Sequence, residues 1–239
     1  MISEKDNAYV SSLKKRGDAG DVFALSELAS FYYEDNPRLM KENLGLVLDS
    51  YERAAEAGCQ IACLNLGRIL SDGKYVSPDY GRAAELFRSA KLGESGRIAA
   101  IASSELGDFY LLGKGVKADY AKAFDLYLEG ALLCGHPVSL YKLGDMYRLG
   151  QFVSQSSEMA YLIYSKAKSA SQRFNNEGYA EILVRLAEAK LFGIGTERNL
   201  PEAMKYIDMS KRLACKSRSP EKVAEAADSL LERIEKAEI

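Results

Sequence analysis

The chain has 239 residues, 47% of them hydrophobic, with 32 basic and 34 acidic side chains and a formal charge of −2. Charge so evenly balanced gives no general attraction to phosphate backbones, so nucleic acid is excluded as an expected partner. No run of about 18 apolar residues is long enough to span a bilayer, and membrane insertion is not expected. The first seven residues, Met1 to Asn7, lack the apolar region of a signal peptide. The expected location is therefore cytoplasmic, or periplasmic or secreted if a leader has been removed.

Taken in chain order, residues 1–17 read as a lone helix. Ser3 and Asp6 resemble a capping box, and Tyr9 and Leu13 stand one turn apart before Gly17. A phrase then recurs five times, centred on Leu28-Ala29, Leu66-Gly67, Leu106-Gly107, Leu143-Gly144 and Leu186-Ala187, in steps of 38, 40, 37 and 43 residues. Such a period marks a stack of supersecondary units. In the last four copies Gly73, Gly113, Gly150 and Gly193 follow the leucine by seven residues, where a left-handed residue ends a helix. A second helix is marked by Ala83-Phe87-Ala90, Ala123-Tyr127-Gly130, Ala160-Tyr164-Ala167 and Ala203-Ile207-Ser210, with Val47-Tyr51-Ala54 in the first copy. This i, i+4, i+7 spacing puts a large side chain between two small ones on one face. Each unit is a predicted helical hairpin, at about 18–57, 58–93, 94–133, 134–173 and 174–218. The extra residues at Glu94–Ala100 and Ser171–Tyr179 correspond to about one and two added helical turns, the second containing Asn175-Asn176 as a turn. Ser219-Pro220 opens a last amphipathic helix, 219–239, whose Val223, Ala227, Leu230, Leu231 and Ile234 would cap the stack.

The run Leu106-Gly107-x-x-Tyr110-x-x-Gly113-x-Gly115-Val116-x-x-Asp119-Tyr120-x-Lys122-Ala123, continuing to Tyr127, Gly130 and Ala131, resembles the Sel-1-like repeat. Marker glycine and alanine lie sixteen apart here, as in Gly67 and Ala83, where a tetratricopeptide unit has twelve. Some copies depart from the pattern, with Asp35-Asn36 at the loop glycine of the first, Gln151-Phe152 instead of a second glycine in the fourth and Lys190 for tyrosine in the fifth. The resemblance covers residues 20 to 215. It implies an all-α, right-handed α-solenoid, one continuous domain of five repeats with a capping helix at each end, and a non-enzymatic adaptor or scaffold that binds a protein or peptide.

By the phase of related stacks, the middle positions of each first helix, two before and two and five after the marker leucine, would line a concave groove. These are Ser30 and Tyr33 in the first unit, Leu64, Arg68 and Ser71 in the second, and Ser104, Asp108 and Leu111 in the third. The fourth supplies Tyr141, Asp145 and Arg148, and the fifth Val184, Glu188 and Leu191. Apolar anchors beside charged groups suit an extended peptide or helix. Tyr141, Asp145 and Arg148 share a face expected to turn away from the packing.

Neither catalysis nor a cofactor is expected. Gly113-Lys114-Gly115 lacks the Walker spacing and any preceding strand. Cys59 and Cys63 lie four apart on one predicted helix with the only histidine, His136, two units away, so no metal site is expected. Cys63 reads as a small buried hydrophobe, and His136, before Pro137, as a loop or capping residue. An alternative function is a small-molecule or cell-wall-fragment (β-lactam-like) binder, with at most weak hydrolase activity, centred on Ser139, Tyr141 and Lys142. Ser139-x-x-Lys142 has the spacing of penicillin-recognising enzymes, but their companion signatures are absent.

Overall fold

The computed structural model describes residues 4–217 and 219–236, and among them every regular element is helical. The capping box at Ser3 lies outside the described residues. The helices fall into two compact units, residues 1–118 and 119–239. The first contains α1 (Glu4–Asp18), α2 (Val22–Ser30), α3 (Leu44–Glu56), α4 (Gln60–Asp72), α5 (Tyr80–Lys91) and α6 (Gly96–Leu112). The second contains α7 (Tyr120–Cys134), α8 (Pro137–Leu149), α9 (Ser157–Ser171), α10 (Tyr179–Phe192), α11 (Leu200–Leu213) and α12 (Pro220–Glu235).

Within the units α2 packs on α3, α4 on α5, α8 on α9 and α10 on α11. The marker residues explain how closely they pack. A Cβ on Gly67 would lie 2.7 Å from the Phe87 ring, and one on Gly144 would lie 2.4 Å from the Tyr164 ring. The small residue of the first helix is thus the seat for the large ring of the second, and both rings are buried.

Helix ends follow equally local rules. Gly73, Gly113, Gly150 and Gly193 end α4, α6, α8 and α10 with φ of 71°, 67°, 66° and 71°. At the other side of each loop Asp79, Asp119, Ser156 and Asn199 accept a hydrogen bond from the backbone N–H three residues on, starting α5, α7, α9 and α11. Such caps contribute about 1 kcal/mol each. The departures change the loops as well. Phe31–Asp35 forms a π-helical turn where the first loop glycine is missing, held by Asn36 donating to the Phe31 carbonyl. Phe152 takes φ 69° in place of the fourth unit's second glycine and rests its ring 5.5 Å from Phe124.

The first insertion lengthens a helix, since α6 has 17 residues against 13 in α4. The second does not, which corrects the expected two-turn extension. After a 3-10 turn at Gln172–Phe174, Asn175, Asn176 and Gly178 are all left-handed, with φ of 51°, 61° and 68°. Three such residues stop a right-handed helix and bend the chain.

Both terminal helices pack by their apolar faces. Leu13 of α1 is buried, and Gly17 lies so close to Leu25 that a Cβ would meet its side chain at 2.5 Å. Val223, Ala227 and Leu230 of α12 are buried against the α10–α11 end of its unit. Cys63 is a buried free thiol, but Cys59 precedes α4 as its N-cap instead of lying within it. Among the described residues no three metal-ligating side chains cluster, and no described helix is long and apolar enough to cross a membrane.

Candidate functional site

The residues expected to line a groove lie along α2, α4, α6, α8 and α10, and many of them bond to the neighbouring hairpin. In the first unit Ser30 Oγ shares a 2.9 Å hydrogen bond with the hydroxyl of Tyr51. Asn65 donates to that same hydroxyl at 3.0 Å and to Glu34 at 2.8 Å, so α2, α3 and α4 meet at one phenol. Tyr33 stands edge-on to the Tyr51 ring. One step on, the aromatic is Phe87 and has no hydroxyl; there Arg68 Nε donates directly to Glu105 at 2.9 Å, joining α4 to α6. Ser71 donates back to the Arg68 carbonyl. Asp108 and Leu111 of α6 are half-buried.

The second unit repeats the arrangement with stronger chemistry. Tyr164 donates to Asp145 at 2.7 Å, and Arg185 Nε and Nη2 each donate to the same carboxylate at 2.6 Å. Arg185 also lies 4.5 Å above the Tyr141 ring. Burial raises the Tyr164 phenol far above its ordinary range, and the Asp145 charge adds to the rise. Burial by itself would lower the Arg185 guanidinium, but Asp145 outweighs it and the net shift is upward. Further along the same face Arg148 and Glu188 stand 3.8 Å apart.

Three junctions therefore follow one rule. The residue two after the marker leucine reaches the residue one before the next marker, across the Tyr51 phenol in the first pair and directly in the other two. Ser30 meets Asn65, Arg68 meets Glu105 and Asp145 meets Arg185. Asn65, Glu105 and Arg185 were not among the sequence candidates. A readable signal existed, because the two later pairs have opposite charge at the same positions relative to their markers.

Four of the fourteen candidates are corrected as open contact surface: Leu64, Ser104, Tyr141 and Leu191 are buried. The face of Tyr141, Asp145 and Arg148 does not turn away from the packing, because α10 lies against it through Arg185 and Glu188, and Gly178 abuts the Tyr141 ring. The other ten are Ser30, Tyr33, Arg68, Ser71, Asp108, Leu111, Asp145, Arg148, Val184 and Glu188, all half-buried. Nothing supports the alternative centred on Ser139. Ser139 is fully buried, its hydroxyl lies 3.0 Å from His136 Nδ1, and its backbone N–H donates to that nitrogen as part of the α8 N-cap. His136 is thus a capping residue, and Ser139 has no open side from which a ligand can be attacked.

Hairpins stacked in phase with glycine-seated aromatics define an α-solenoid repeat protein. A Sel1 repeat profile matches residues 60–93, 100–133, 137–171 and 180–213, together more than half of the chain. The chain belongs to the Sel1 repeat family. The Sel1-repeat-containing protein YjcO of Escherichia coli K12 is 30% identical over 149 residues, which are 62% of this chain and 64% of that relative. Chitin synthase regulatory factor 3 of Schizosaccharomyces pombe is 31% identical over 120 residues, 49% of this chain but 12% of that protein. A Sel1 repeat protein from Oxalobacter formigenes aligns with TM-score 0.63 at 20% identity, covering 92% of this chain and 89% of the other. A protective antigen of uropathogenic E. coli, c5321, aligns with TM-score 0.60 at 22% identity over 94% and 56%. These two structures share the fold.

Proposed function

We propose that this chain is a non-catalytic adaptor that holds a protein partner, as an extended peptide or a helix, along the first-helix face of its hairpins. Sel1 repeat proteins are in general protein-interaction scaffolds, which supports the class. One observation carries the choice of face: the first-helix junctions are closed by polar pairs that stay partly open to solvent. Side-chain exposure is 21% and 15% for Arg68 and Glu105, and 34% and 30% for Arg148 and Glu188. A junction built only for stability would be served as well by packed aliphatic side chains. Half-open charged pairs leave donors and acceptors for a partner's backbone and side chains.

The test exchanges charges without removing them. Arg148→Glu combined with Glu188→Arg keeps an ion pair at the junction but reverses the pattern that a partner meets. The exchanged protein should melt as the parent does and lose the proteins that the parent captures in affinity purification from its source cell. Unchanged capture by a folded exchanged protein would refute the first-helix face as the site.

A further inference from the structure

His136 is the only histidine in the chain, and α8 begins on it. Its side chain is 1% exposed, with the Phe174 ring standing edge-on to it at 5.4 Å. Nδ1 accepts the Ser139 backbone N–H at 3.4 Å, so the neutral ring must carry its proton on Nε2. Nε2 is buried without a hydrogen-bond partner, and Oε2 of Glu177 lies 3.6 Å from it. Glu177 belongs to the bend between α9 and α10, next to Gly178, whose absent Cβ would meet Tyr141 and Val138 of α8. On the 3-10 turn before that bend, Arg173 brings its guanidinium to 3.1 Å from the place a Cβ on Gly135 would take. Half-buried Cys134 ends α7. Lys142 of α8 lies over the Tyr141 ring, Lys168 of α9 donates to Tyr206, and Glu181 of α10 accepts from Ser217. Glu177 is thus the carboxylate that faces Nε2; it favours a positive charge on the ring, and Arg173 opposes one.

We propose that His136 is a proton-operated latch, which exchanges the cap of α8 for an ion pair with the bend before α10. Protonating Nδ1 turns an acceptor into a donor. The ring then donates to Ser139 Oγ, 3.0 Å away, and the Ser139 N–H loses its acceptor in the first turn of α8. At the other nitrogen the same charge draws the Glu177 carboxylate, because cation and anion now face each other where water is scarce. One bond reverses, one is lost and one contact tightens. The bend and α8 respond together, since Gly178 follows Glu177 directly and abuts Tyr141. The hydroxyls of Ser95 and Ser156, which cap α6 and α9, cannot change in this way. The latch is independent of what the first-helix face binds.

The experiment uses the full chain, whose single histidine gives one set of ring signals in nuclear magnetic resonance spectra. Near neutral pH the ring nitrogen shifts should report Nδ1 without a proton and Nε2 with one. As pH falls through the titration of that ring, hydrogen exchange at the Ser139 amide, corrected for its intrinsic rate, should accelerate about fivefold. The amides of Ile98 and Met159, held by Ser95 and Ser156, should keep their protection over the same range. Glu177→Gln should lower the titration midpoint of the ring. His136→Asn, which caps without titrating, should remove the pH dependence at Ser139. A neutral ring with its proton on Nδ1 would overturn the proposal. So would a ring that stays neutral until the whole chain unfolds, Ser139 protection that falls no faster than that of Met159, or a midpoint that Glu177→Gln leaves in place. If His136→Asn does not fold, the ring titration and the effect of Glu177→Gln decide.

Discussion

Asp145 and Arg185 are forty residues apart in the chain, yet they meet as a two-armed pair with both N–O distances at 2.6 Å and the Tyr164 hydroxyl on the same carboxylate. With the Asp145 side chain only 18% exposed and that of Arg185 24%, the pair lies between a surface ion pair and a buried one. Removing one partner leaves the other desolvated. Asp145→Ala should therefore cost about 2 kcal/mol or more. A cycle with Arg185→Ala, followed by urea unfolding, should show coupling of about 1–3 kcal/mol. The looser Arg148–Glu188 pair at 3.8 Å should couple by less than about 1 kcal/mol.

Gly144 should tolerate no side chain. A methyl group there would fall 2.4 Å from Tyr164, a buried ring tied at its far end to Asp145. Gly144→Ala should destabilise by about 1–3 kcal/mol, and a thermal melt is enough to read it. Gly96, in the first turn of α6 with nothing near its absent Cβ, is the control. Gly96→Ala should be neutral or stabilise by about 0.4–1 kcal/mol through the unfolded chain.

Alkaline pH should unlock the phenols. Burial is the largest cause of the raised pKa of Tyr51, Tyr164 and Tyr206, which would otherwise lose their protons near 10.0. The folded protein keeps protons that the unfolded chain releases above that value. Stability should be complete below about pH 10 and decline as pH rises beyond it. Tyr164→Phe removes one of these groups, so its urea midpoint should fall less steeply with pH than that of the parent.

Acid should act through Glu202. The hydrogen bond from Tyr206 holds its carboxyl below the ordinary 4.5, against the opposing effect of burial and with help from Lys190. Its contribution is present above about pH 4.5 and is lost as pH falls through the lower folded value. Glu202→Gln should flatten this part of the acid-unfolding curve.

The terminal helix α12 is amenable to deletion. Ending the chain at Ser219 would uncover the surface that Val223, Ala227 and Leu230 now cover. In a repeat stack an open terminal interface costs both stability and solubility. The truncated protein should melt several degrees lower and aggregate at concentrations where the full chain stays monodisperse, as light scattering would record.

The legible part of the structure is the part governed by single residues and short spacings. A glycine seven after each of the last four marker leucines implies a left-handed helix end, and Gly73, Gly113, Gly150 and Gly193 occupy that region. A small residue opposite a ring implies close approach, and Gly144 under Tyr164 shows it. Faces were harder, because helical phase tells which side chains share a side but not how near the next hairpin comes. Tyr141 and Leu191 have the phase of open residues and are buried by that approach. The bend at Asn175-Asn176 was legible as a turn, whereas insertion length by itself suggested continued helix.

The three junction pairs also differ from one another in a way that has a consequence for assembly. Hairpins built to one pattern can in principle dock on the wrong neighbour, a known hazard of repetitive chains. Here the first described junction pairs two neutral groups, the second sets arginine before glutamate, and the third sets aspartate before arginine. If the edge carrying Arg68 met the one carrying Arg185, two cations would face each other; Asp145 against Glu105 would oppose two anions. Each mispairing loses an attraction and gains a repulsion. The opposite order of charge at these two junctions would therefore disfavour exchange of one hairpin edge for the other.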